Sequence, residues 1–127
     1  MTGWTLLAVA LGGFAGGALR GWLTTVLGPT RDGFPRGVLA ANVAGSLALG
    51  TAVTALPAGS AALALAGAGF CGALTTWSAF SLDLVVLLEH RRHRTAAGYA
   101  LLSLGAGLLA AALGLLLGTW LQESLTP

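Results

Sequence analysis

Between Gly37 and Leu82 the chain runs 46 residues without a charged side chain. One bilayer crossing takes about 20 mostly apolar residues at ~1.5 Å each. The stretch is therefore too long for one crossing and fits two. Pro57-Ala58-Gly59-Ser60 is the only strong turn signal inside it. It divides the stretch into a helix over about Gly37–Leu56 and another over about Ala61–Glu89. Apolar runs on either side add helices over about Thr5–Leu27 and Thr95–Leu121. Gly28-Pro29 and a polar loop, Thr30 to Arg36, close the first. The run Glu89-His90-Arg91-Arg92-His93-Arg94 closes the third. The fold class is an all-α membrane protein of four transmembrane helices, one domain over residues 1–127.

Composition removes most other classes. The 127 residues are 56% hydrophobic and 8% charged, with six Arg, four acids and no Lys. A soluble domain carries about 25% charged residues, so a soluble enzyme or a nucleic-acid module is excluded. The sequence pI of 9.5 rests on six Arg against four acids. A single cysteine, Cys71, leaves no internal disulfide. Met1 to Leu19 carries no positive charge ahead of its apolar run, which is unlike a cleavable signal peptide.

Helix three would span roughly 43 Å as an ideal helix, against a hydrocarbon core of ~30 Å. Its middle, Gly69 to Ser78, is rich in Gly, Thr and Ser. A break is expected there, and non-helical backbone at membrane depth survives only where protein buries it or it lines a wet cavity. Gly12/Gly16, Gly13/Gly17, Gly17/Gly21 and Gly114/Gly118 have the spacing that lets helices approach closely. Trp4, Trp22, Tyr99 and Trp120 fall near helix ends and suit interfacial belts. Trp77 and Phe80 fall inside the third crossing.

The charges are one-sided. With four crossings, loops one and three share a face, and Arg31, Arg36, Arg91, Arg92 and Arg94 all lie there, with Arg20 nearer that end of helix one. The positive-inside rule puts these loops in the cytoplasm and both termini outside. Beside a membrane helix the Arg91–Arg94 cluster reads as an anchor to the bilayer surface, not as a nucleic-acid site. His90 and His93 lack the partners a metal site would need.

No nucleophile–base pair, metal cluster or phosphate loop is present, so catalysis is not expected. The polar groups within the crossings are Arg20, Asn42, Ser46, Thr75, Thr76, Ser78, Ser81, Asp83 and Ser103. Hydroxyls and amides can replace part of an anion's hydration shell without trapping it. Aromatic ring edges carry the positive end of the quadrupole, and Trp77 and Phe80 are three apart on one helix face. Each hydroxyl can also simply bond its own helix backbone.

The run Gly69-Phe70-Cys71-Gly72-Ala73-Leu74-Thr75-Thr76-Trp77-Ser78-Ala79-Phe80-Ser81-Leu82-Asp83 resembles the signature of the small bacterial fluoride channels, the Fluc or CrcB family. The Gly-rich stretch Gly12 to Arg20 and the segment Gly37 to Ser46, with Asn42, are similar to two further family motifs. The resemblance implies an antiparallel dimer with two anion pores and passive export of cytoplasmic fluoride. It implies pore roles for Asn42, for Trp77 and Phe80 as the aromatic pair, and for Thr76, Ser78 and Ser81 in the same motif. It places Arg20 near the pore mouth, Asp83 at the position of the acid that follows the motif, and Tyr99 and Ser103 on the polar side of helix four. It assigns Gly72 and Thr75 backbone carbonyls to a structural Na⁺ at the dimer interface.

Three positions depart from the family pattern. Trp77 stands where the family has Phe, Asp83 is one methylene shorter than the usual Glu, and Gly107 and Ala111 stand where helix four would carry hydroxyls. Homodimeric members insert in both orientations, which requires little Arg/Lys bias. The bias here predicts one fixed orientation and therefore an oppositely oriented paralogous partner. The alternatives are a non-conducting structural subunit of such a heterodimer, and a small multidrug-type transporter, which would want an acid in helix one.

Overall fold

The structure, a computed structural model, describes residues 2–127. Every regular element among them is helical. Helix α1 is Gly3–Val26. Thr2 opens it, its hydroxyl accepting from the Thr5 N–H at 3.3 Å. Pro29 disfavours helix just upstream and helps end it. Helix α2 is Arg36–Ala55, ending two residues before Pro57. Ser60 caps the third crossing by accepting from the Leu63 N–H at 3.1 Å.

That crossing, Ala61–Glu89, is not uniform. One α-turn, α3 (Ala61–Leu63), leads into a π-helical stretch, Ala64–Cys71, and a second α-turn, α4 (Gly72–Leu74). The Gly72 N–H reaches back five residues to the Gly67 carbonyl. Thr75 (φ −80°, ψ 148°) and Thr76 (φ −149°, ψ 116°) are extended. Helix α5 then runs over Trp77–Glu89. A tight turn through Arg91, at φ 57°, leads into α6, His93–Leu125. All four crossings are long and apolar enough to span a membrane.

Most helix ends fall within one or two residues of the sequence expectation. The exception is the end of α6, which continues four residues past Leu121. Gln122-Glu123-Ser124 offers no stop signal, and Pro127 disfavours helix only at Thr126.

The helices pack as two close pairs. Helix α1 lies on the π-helical stretch, where a Cβ on Gly12 would collide with the Leu65 carbonyl and one on Gly16 with the Phe70 carbonyl. Helix α2 lies along α6, where a Cβ on Gly114 would meet the Leu47 carbonyl and one on Gly50 the Ala111 carbonyl. Small residues thus bring backbone onto backbone, the mode that serves where lipid removes the hydrophobic drive between helices. A more ordinary side-chain core forms only at the loop-one end, from Val38, Phe80, Leu87, Ala96 and Tyr99, with Phe34 packed against it. Elsewhere large side chains such as Phe14, Leu101, Leu108 and Leu116 stay exposed, as expected where the solvent is lipid or a second chain. Gly17 and Gly21 meet nothing within 4 Å.

Candidate functional site

The two extended residues are tied to α2 by one side chain. Asn42 Oδ1 accepts from the Thr76 N–H at 2.7 Å, and Asn42 Nδ2 donates to the Thr76 carbonyl at 3.2 Å. The side-chain amide therefore satisfies both backbone groups of Thr76, as a neighbouring strand would. The Thr76 hydroxyl caps α5 by accepting from the Ala79 N–H at 3.2 Å.

These two bonds alter the helix on either side. In an unbroken helix the Thr76 N–H would go to the Gly72 carbonyl and the Ala79 N–H to the Thr75 carbonyl. Both donors are drawn away, so the Gly72 and Thr75 carbonyls lose the partners a continuous helix would supply. Uncommitted carbonyl oxygens suit a hard cation. Among the described residues no group of three or more His, Cys, Asp or Glu could hold a metal.

An open groove of about 370 Å³ lies against this junction. Asn42 and Ser46 of α2 form one wall, Thr75, Thr76, Trp77 and Phe80 the second, and Ser103, Leu104, Gly107, Leu108 and Ala111 of α6 the third. The Ser46 hydroxyl is committed to the Asn42 carbonyl at 2.8 Å, and that of Thr75 to the Cys71 carbonyl at 2.9 Å. Ser103 differs. Among the described residues its Oγ is the one buried side-chain oxygen or nitrogen without a hydrogen-bond partner.

The aromatic pair forms part of a longer stack. Trp77 and Phe80 have centroids 5.1 Å apart, Phe80 and Tyr99 5.2 Å, and Phe34 meets Tyr99 edge-on at 5.4 Å. Phe80 is 5% exposed and Trp77 71%. The Tyr99 hydroxyl donates to Asp83 Oδ2 at 3.2 Å. This places the carboxylate on the loop-one side of the stack, in a smaller cavity with Gly33, His90 and Arg92.

Of the residues singled out from the sequence, Asn42, Thr75, Thr76, Trp77, Phe80 and Ser103 share the groove. Six others do not line it. Arg20 is on α1, which packs against the π-helical stretch and supplies no wall. Ser78 lies about 100° round α5 from Trp77 and about 160° from Phe80, and its hydroxyl is 3.2 Å from that of Thr76. The Ser81 hydroxyl donates back to the Trp77 carbonyl at 2.9 Å. Asp83 and Tyr99 stand behind Phe80. Gly72 opens on the opposite side, towards Leu49, Val53 and Ala68. Ser46 is a wall residue outside the sequence-based set, and its i+4 spacing from Asn42 was the signal for it.

Comparison with known proteins agrees with this architecture. Residues 7–115 match the family model described as CrcB-like protein, Camphor Resistance (CrcB). A relative from Halobacterium salinarum, named fluoride-specific ion channel FluC 1, is 44% identical over 104 residues, 81% of this chain and 85% of the relative. Fluoride-specific ion channel FluC of Paracoccus denitrificans is 40% identical over 116 residues, 90% and 94% of the two chains. Fluoride-specific ion channel FluC 1 of Symbiobacterium thermophilum is 45% identical over 126 residues, 91% and 96%. With the matched segment reaching from α1 into α6, this multi-pass chain belongs to the CrcB-like family.

Proposed function

We propose that this chain is a subunit of a fluoride-specific ion channel in the plasma membrane, passing cytoplasmic fluoride outward down its gradient, and is not an enzyme. The relatives named as fluoride channels match it over most of both lengths. The observation that carries the reading onto this chain's own residues is the partnerless Ser103 hydroxyl, buried in the groove wall. A buried polar group without a partner costs about 1–3 kcal/mol, and a passing anion would supply that partner. Asn42, Thr76, Trp77, Phe80 and Ser103 then form the anion path. Passive export lowers fluoride toxicity, since HF enters neutral and ionises inside.

The groove is open along one side, and a second chain would close it. In this reading the extended pair Thr75–Thr76 lies near mid-membrane, and the two subunits are antiparallel. Arg20, Ser78, Ser81, Asp83 and Tyr99 act outside the groove, Arg20 at a mouth that the partner completes. The unpacked Gly17 and Gly21 support close approach by another helix. The freed Gly72 and Thr75 carbonyls would hold a structural Na⁺ between subunits, fixing the junction electrostatically.

All basic residues lie at one end, so loops one and three face the cytoplasm and the termini lie outside. A fixed orientation requires an oppositely inserted, paralogous partner. A second reading, a non-conducting partner subunit, is favoured by Gly107, Leu108 and Ala111, which leave much of the α6 wall apolar. Fluoride efflux from loaded liposomes holding this chain, alone and with the partner, tests both. Efflux that needs both chains and is lost on Ser103→Ala supports the channel reading. Efflux unaffected by any groove substitution in this chain supports the second reading. No fluoride efflux in either preparation refutes the channel.

A further inference from the structure

Away from the groove, loop one and the α5–α6 turn enclose a cleft of about 470 Å³. Arg31, Arg91, Arg92 and Arg94 line it together with His93, against a single acid, Asp32. Among the described residues the only arginine side chain with a hydrogen bond is Arg36, which donates its Nε–H to the Gly28 carbonyl at 2.8 Å. The four cleft guanidiniums therefore converge without being neutralised by one another's surroundings. Arg91 stands at φ 57°, a region that L side chains seldom occupy. The first turn of α6 adds to the field. Its cap residue, Arg92, makes no capping bond, and no acid stands in that turn, so free N–H groups face the same side.

Mutual repulsion among four arginines, a strained backbone at one of them and an uncapped helix start all oppose this arrangement in the absence of an anion. A bound phosphate group relieves all three, because guanidinium forks match its oxygens and helix N–H groups point to it. The cleft lies at the polar ends of α5 and α6, beside the apolar spans Ala61–Glu89 and His93–Leu125. The phosphate available at that height is the headgroup of an anionic phospholipid, and juxtamembrane arginine clusters are read in that way. We propose that this cleft is a binding site for the phosphate of an anionic phospholipid, distinct from the anion path and independent of whether the chain conducts.

The test uses the full chain in neutral detergent, titrated with dioctanoyl phosphatidylglycerol, dioctanoyl phosphatidylcholine or inorganic phosphate, with binding followed by native mass spectrometry and thermal unfolding. The variant is Arg91→Gly with Arg94→Gln. Glycine accepts the left-handed backbone at 91, so the variant melts no lower than the parent in detergent alone. Phosphatidylglycerol binds the parent and raises its melting temperature, phosphatidylcholine does not, and the variant binds phosphatidylglycerol about thirtyfold more weakly. Arg31→Gln, on the opposite wall, weakens binding in the same direction. Equal binding of the two lipids, or unchanged binding in both variants, overturns the site. Inorganic phosphate at the lipid's own concentration matching its effect overturns the lipid assignment.

Discussion

Removing the Asn42 amide gives the sharpest test of how the third crossing is held. In Asn42→Ala, Thr76 loses the 2.7 Å bond to its N–H and the 3.2 Å bond to its carbonyl. Thr76 is only half-buried, so each orphaned group costs about 1–2 kcal/mol, toward the low end of the buried range. The gross loss is about 2–4 kcal/mol. A partial refund is available, because the Thr76 N–H can turn back to the Gly72 carbonyl and extend the helix. That route leaves the Thr76 carbonyl orphaned and removes one of the two free carbonyls facing away from the groove. The expected result is a net loss of about 1–3 kcal/mol in denaturant unfolding in mild detergent. Any stabilisation by sodium over potassium should disappear with it. Ser46→Ala is the control, since it removes only a hydroxyl that bonds its own helix, and it should change stability by less than about 0.5 kcal/mol. Asn42→Ala unfolding within the error of Ser46→Ala would refute the claim that Asn42 secures the extended pair.

Other substitutions separate packing from permeation. Ser103→Ala deletes a partnerless hydroxyl, so stability should hold or rise by up to about 1 kcal/mol while fluoride efflux from liposomes falls. Phe80→Ile should abolish fluoride flux with the assembly intact by size-exclusion chromatography; unchanged flux would count against the aromatic role. Gly114→Leu drives a side chain into the Leu47 carbonyl where α2 and α6 touch. It should cost about 2–5 kcal/mol, seen as loss of folded protein on extraction. Gly17→Ala meets nothing within the chain, so a defect in pairing with a second chain, without loss of the folded subunit, is its expected signature.

The four crossings were legible because their signals are local. The uncharged run from Gly37 to Leu82 is too long for one helix, and Pro57 and Gly59 divide it. The Gly- and Thr-rich middle of the third crossing likewise marked where Thr75 and Thr76 leave helical geometry. What escaped the sequence were pairings across distance. Asn42 and Thr76 are 34 residues apart, and nothing in either segment announces that one amide will satisfy both backbone groups. The motif likewise grouped Ser78 and Ser81 with Trp77, although helical rotation and back-bonding take them out of the groove. The π-helical stretch was invisible for a related reason. It depends on α1 lying against Gly69, where a Cβ would come within 2.6 Å of the Val9 carbonyl, and propensity carries no record of a neighbour.

That π-helical stretch makes the third crossing a counted length. Between the Ser60 cap and Thr75, the five-residue reach of its bonds sets the azimuth at which the chain arrives beside α2. Deleting one residue from Ala64–Cys71 would let the segment relax to ordinary α-helix, but would turn everything after it by about 100°. Thr76 would then present another face to Asn42, and Trp77 would leave the groove, with every side chain outside the deletion unchanged. Single substitutions at Ala66 or Ala68 leave that angular phase intact. Tolerance of point changes alongside intolerance of one-residue insertions or deletions is thus a consequence of how the segment is wound.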